Sequence, residues 1–272
     1  MIANARMYSV TPEVARLWRA LLEALAARAG VALAVIDHPP PAPIAALWAR
    51  PDMAAVLMCG LPYSLAAPPP ALLAAPVPAL PAYGGEALYW SEFVVRAESR
   101  YQRLEDTFGT RIAFTTPHSQ SGYAAALCHL MPAAGATPLY REVVAPAVTP
   151  LGAVAAVREG RADVAPVDGF ALDLLRHHAP ALIAGLRSVA RTAPTAIPPF
   201  VAAPPPSPAL RAAFLDAHDD PALRPLLDGL LLQRFAPASP DDYAPLAERL
   251  AAAHAFWRRR TLAAAIDPAF AL

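Results

Sequence analysis

Lysine is absent from this chain of 272 residues: every one of its 22 basic residues is arginine. That removes Schiff-base chemistry and the phosphate-gripping lysine of nucleotide-binding P-loops. An anion bound here must be held by arginine, hydroxyls, backbone N–H or phenolic O–H groups. Net charge is also missing, because 22 Asp and Glu balance the arginines. No basic surface therefore selects nucleic acid or an anionic membrane as a partner. Charged residues are scarce, at 16% against 56% hydrophobic, which excludes a disordered chain. Cysteine is nearly absent. Cys59 and Cys128 are too few for a disulfide framework and read as reduced core residues. The seven histidines show no metal-ligand spacing, since His177 and His178 are neighbours that a helix would point apart. No metal and no cofactor is expected. No uninterrupted apolar run reaches the 18 residues that a membrane span needs, and Met1–Tyr8 lacks a signal peptide's apolar core.

What is present is a turn rich in hydroxyls. Arg111 to Thr115 reads as a short buried strand, Ser119-Gln-Ser-Gly-Tyr123 as a turn, and Tyr123 to Leu130 as an apolar, Ala-rich helix. A strand that turns into a helix presents free N–H groups at the positive end of the helix dipole. Ser119 and Ser121 add side-chain donors, and Gly122 would let an oxyanion approach the backbone. Such a turn suits a phosphate, phosphonate, sulfonate or carboxylate. The plainer alternative is a helix N-cap without a ligand.

The remaining pattern is α/β. Ile2 to Tyr8 is an expected strand; Thr11 and Pro12 then open a helix carrying Val14, Leu17, Trp18, Leu21 and Leu25, which Gly30 closes. Strands at 31–36 and 54–58 follow, separated by a short helix, which predicts a parallel sheet covered by helices. The proline-dense stretch 66–81 reads as a linker or, over Val77 to Tyr83, as an edge strand, and Tyr89 to Val95 as a strong strand. A second β-α series runs to about residue 203, and the rest is helical. Residues 1–90 with 195–272 are expected to form one lobe and 91–194 the other, each a mixed sheet flanked by helices, joined by two crossing strands. Loops after the strands, at Tyr8-Ser9, Cys59 to Tyr63, Thr116 to Tyr123 and Asp168, should line one ligand crevice.

Four stretches, in order, carry a resemblance. Ala3-Asn-Ala-Arg-Met-Tyr8 is followed by Thr-Pro-Glu and a Trp-containing helix. Tyr89-Trp-Ser-Glu-Phe-Val-Val-Arg96 follows, then Leu104 to Ala113 running into Ser119-x-Ser-Gly-Tyr123. Last comes Ala153 to Asp163, ending at Asp168. Together they resemble the phosphonate-type branch of the type II periplasmic solute-binding proteins, the substrate-binding subunits of ABC importers. The resemblance implies a two-lobed type II periplasmic-binding fold and a non-catalytic, periplasmic monomer. It would capture a small anionic or zwitterionic ligand in the inter-lobe cleft and deliver it to an ABC permease and ATPase.

Carried over residue by residue, the anion site falls on Ser119, Ser121, Gly122 and Tyr123. Tyr8, Ser9 and Tyr63 come from the first lobe, Ser91 from the crossover strand, and Asp168 meets a ligand amine or hydroxyl. Tyr8 and Tyr63 read equally as half-buried core aromatics, and Asp168 as a turn former or helix N-cap. One departure stands out: phosphonate binders of this kind commonly carry a histidine where this chain reads Ala147-Val-Thr-Pro-Leu151. The same fold also hosts enzymes of the menaquinone-pathway dehydratase and thiamine-pyrimidine synthase types, for which His118, Asp168 and Cys59 are the candidate groups. A cytosolic metabolite sensor is the third reading.

Overall fold

The computed structural model describes residues 1–144 and 146–266. It divides into two compact units. The first comprises Met1–Leu88 with Ala196–Ala244, the second Tyr89–Thr195 with the described residues from Pro245 onward.

In the first unit the expected opening is present and its cause is visible. Thr11 is extended at φ −140° and its side chain accepts a hydrogen bond from Val14 N; Pro12 begins the helix Pro12–Ala29 and Gly30 ends it in the left-handed conformation. Val14, Trp18, Leu21 and Leu25 form its buried stripe. The sheet has six strands, in the order Leu232–Ala236, Ala71–Pro78, Phe200–Ala202, Met53–Leu57, Ile2–Asn4 and Ala34–Val35. Ile2–Asn4 pairs parallel with both Ala34–Val35 and Met53–Leu57, while Phe200–Ala202 pairs antiparallel on each side. The sheet is mixed.

The proline-dense stretch is neither linker nor edge. Ala71–Pro78 lies inside the sheet with six consecutive buried residues. Its prolines fall on the side facing Leu232–Ala236, where Leu232 and Phe235 oppose Pro78 and Pro76 across an irregular register. A bulged ladder tolerates the missing N–H donors.

The second unit holds two short sheets bridged at one point. Ser91–Arg96 lies between Leu186–Arg191 and Ala165–Asp168, antiparallel to both. Tyr140–Val144 lies between Arg111–Ala113 and Ala263–Ile266, parallel to both. A parallel bridge from Ile112 to Val164 joins them. Asp163 reinforces that junction, accepting hydrogen bonds from Arg111 N at 3.1 Å and Arg111 Nε at 3.2 Å.

The lobe boundaries differ from expectation at the C-terminus. The helix Pro240–Trp257 contains Pro245, and the chain from there belongs to the second unit. Ala253 and Trp257 join a core with Phe114, Tyr123 and Leu127, and Trp257 Nε1 donates to Leu127 O at 3.1 Å. The chain thus changes unit three times, where two crossings were expected; residues 267–272 of the expected first lobe lie outside the described residues.

Candidate functional site

The hydroxyl-rich turn follows the strand Arg111–Ala113. Ser119, extended at φ −84° and ψ 128°, caps the helix with its side chain, accepting from Gly122 N at 2.9 Å. The first turn, Gln120–Ala124, is wound as a π-helix and continues as the α-helix Ala125–Leu130. Such turns mark departures from the regular ladder and recur at functional sites. First-turn N–H groups have no partner within a helix, and that of Gly122 is taken by the cap.

Asp168 closes the strand Ala165–Asp168, whose neighbour Val164 bridges the Arg111 strand in parallel. Both loops therefore leave the same end of the sheet. Asp168 is an N-cap: Oδ1 accepts from Ala171 N at 3.0 Å, opening the helix Gly169–His178. Oδ2 accepts from Ser121 Oγ at 3.2 Å. Ser91 sits opposite Asp168 in the ladder and donates its hydroxyl to Ser121 O at 2.6 Å. Ser91, Ser121 and Asp168 thus form one hydrogen-bonded chain that fixes the turn.

Two expected roles change. Gly122 does not keep space for an oxyanion; it keeps space for Thr115. A Cβ at residue 122 would overlap Thr115 Oγ1 and lie 2.7 Å from Cγ2 and 2.9 Å from Cβ. Tyr123 turns its ring into the core, where it packs edge-on against Phe114 at 5.3 Å and its hydroxyl meets His254 Nε2 at 3.3 Å. Burial pushes the Tyr123 phenol up to about 12, so it stays a neutral hydroxyl.

Thr115 is the residue that sequence reasoning passed over. Its Oγ1 is buried with no hydrogen-bond partner among the described residues, a state that costs about 1–3 kcal/mol unless a partner is supplied. The only signal in the sequence was a Thr-Thr pair after an apolar strand.

In the first unit, Tyr8 and Tyr63 follow the ends of the paired parallel strands Ile2–Asn4 and Met53–Leu57. Tyr8 closes a single 3-10 turn and is buried. Ser9 Oγ donates back to Ala5 O at 2.9 Å. Tyr63, on the helix Gly60–Leu65, packs edge-on against Tyr243 at 5.1 Å, and burial raises its pKa. Of the enzyme candidates, Cys59 is buried in the first unit, Asp168 caps a helix in the second, and His118 is exposed. No helix among the described residues is long and apolar enough to cross a membrane.

Residues 9–243 match the family described as ABC transporter, phosphonate, periplasmic substrate-binding protein. Among solved structures, the chain is similar to a binding protein component of an ABC phosphonate transporter from Pseudomonas aeruginosa. The TM-score is 0.74 at 16% identity, covering 94% of this chain and 86% of that one. It is equally similar to PhnD1 from Prochlorococcus marinus in complex with methylphosphonate, with TM-score 0.74, 16% identity, and 95% and 96% coverage. A protein from Xanthomonas citri bound to ATP matches at TM-score 0.58 and 19% identity, with 96% and 98% coverage. These likenesses show the two-lobed periplasmic-binding fold. No curated protein sequence matches the chain.

Proposed function

We propose, for a chain that belongs to the phosphonate periplasmic substrate-binding protein family of ABC transporters, capture of a small oxyanion at the 115–122 turn. The role is non-catalytic solute binding. The observation that carries the ligand assignment is Thr115 Oγ1, a buried hydroxyl without a partner among the described residues, beside the π-turned start of a helix, the positive end of its dipole. Ser119, the N–H group of Ser121, and Thr115 would hold the oxyanion. Ser91 positions the turn.

The hydrogen bond from Ser121 to Asp168 bears on the ligand's charge. Ser121 has one hydroxyl proton and gives it to Asp168, so it meets a ligand as an acceptor. The Asp168 carboxylate next to it disfavours a second negative charge on the ligand and favours a cationic or donor group. With no lysine in the chain, a monoanion or zwitterion fits better than a dianion. A charge-assisted hydrogen bond to an ammonium is worth about 1.5–3 kcal/mol, or roughly 10- to 100-fold in affinity. By its family the protein would work as a monomer in the periplasm and deliver ligand to a permease and ATPase.

Calorimetric titration of the purified protein with ethylphosphonate and 2-aminoethylphosphonate tests both parts. The amino ligand should bind more tightly, and Asp168→Asn, which preserves the cap, should narrow the gap. Tighter binding of the plain phosphonate would remove Asp168 from ligand recognition. No binding across phosphate, phosphite, phosphonates, sulfonates and small carboxylates would remove the oxyanion assignment itself.

A further inference from the structure

The helix that starts at the turn has a second face, and it borders a cavity built wholly from residues of the second unit. The cavity has a volume of about 170 Å³ and is lined by the helix at Gln120, Ala125 and Cys128, and by the C-terminal helix at Leu246, Arg249 and Leu250. An apolar cavity of about 150 Å³ accommodates a benzene ring, so the space matches one six-membered ring. Five of the eleven lining residues are alanine or leucine, and His129, Thr192 and Thr195 add polar atoms to the wall. Gln120 is a buried polar side chain in its wall. Arg249 is exposed, makes no ion pair with another described residue, and its charge is felt at Cys128, where it opposes the rise that burial imposes on the thiol. A wall that is apolar at Ala125, Leu246 and Leu250, with one arginine at the rim, suits a ligand with an apolar body and one negative charge.

We infer that this cavity is a second ligand site, for a small carboxylate whose ring packs on Leu246 and Leu250 and whose charge meets Arg249. It is separate from the turn: the oxyanion would lie at the helix start, and this ligand along the helix side. Nothing in the inference depends on what the turn binds.

Benzoate is the probe, titrated into the full chain by calorimetry. A ligand of this size in such a site reaches a Kd of about 1 mM. Arg249→Ala and Ala125→Phe, which removes the cation and fills the cavity respectively, should each weaken binding by about tenfold or more. Benzyl alcohol, of the same shape without the charge, should bind about tenfold more weakly than benzoate. Ser119→Ala, at the turn, should leave benzoate binding unchanged. Absence of binding at about 10 mM, or equal binding by wild type and Arg249→Ala, would overturn the site. So would loss of benzoate binding in Ser119→Ala alone, which would place it at the turn. Arg249 is exposed, so its variant decides the matter even where Ala125→Phe does not fold. Methylphosphonate titration of the same variants reports on the turn independently.

Discussion

Gly122→Ala puts one carbon where the structure has no room for it. The new Cβ would overlap Thr115 Oγ1 and come within 2.7 Å of Cγ2 and 2.9 Å of Cβ. Two effects oppose each other. Gly122 has no positive φ, so alanine adopts its backbone without strain and gains about 0.5–1 kcal/mol in the helix. Overpacking a buried contact costs about 1–3 kcal/mol. Thr115 cannot simply retreat, because it is buried and its N–H donates to Gly122 O at 3.2 Å; moving it adds about 1 kcal/mol for that bond. The clash wins, and a net loss of about 2 kcal/mol is expected. Urea unfolding of Gly122→Ala, Thr115→Ala and the double variant measures it. Truncating Thr115 removes Oγ1 and Cγ2 but leaves Cβ, so the double variant should recover about 1 kcal/mol of coupling, not all of it. Gly122→Ala within about 0.5 kcal/mol of wild type, or additive single effects, would refute the packing argument and return Gly122 to the role of an open approach for a ligand.

Two further outcomes follow from buried charge. Glu92 is nearly fully buried, with its carboxylate held by Arg176 at 2.6 and 3.3 Å; Arg176→Met should cost about 2 kcal/mol, less than a fully buried pair because Arg176 is half exposed. Adding Glu92→Gln should restore more than half of that loss in the same unfolding assay, and failure to do so would mean that the arginine acts by packing. His129 and His254 have pKa values lowered mainly by desolvation, so the unfolded chain takes up protons first, near its ordinary value of about 6.5. Their contribution is therefore present above about 6.5 and lost as pH falls through the folded values. The urea midpoint should drop from pH 7 to 5, and a His129→Gln/His254→Gln variant should show a shallower drop.

The sequence by itself determined what depends on near neighbours. Thr11, Pro12 and Gly30 mark both ends of the first long helix because capping and left-handed closure are local chemistry. The same holds for the order strand, hydroxyl turn, helix around residues 111–130, and for Asp168 as a possible N-cap. The tertiary structure decided what depends on which surfaces meet. Pro76 and Pro78 looked like linker residues, yet the strand they occupy lies inside a sheet because its partner bulges. The last helix carries an apolar stripe, but a stripe does not name its partner: Trp257 donates to Leu127, 130 residues away, and this moves the chain beyond Pro245 into the second unit. At the turn, the Ser-x-Ser-Gly spacing announced an anion site. Only the fold showed that the glycine accommodates Thr115, that Tyr123 faces the core, and that Ser121 gives its proton to Asp168. Each is a contact between segments that the chain separates and packing alone brings together.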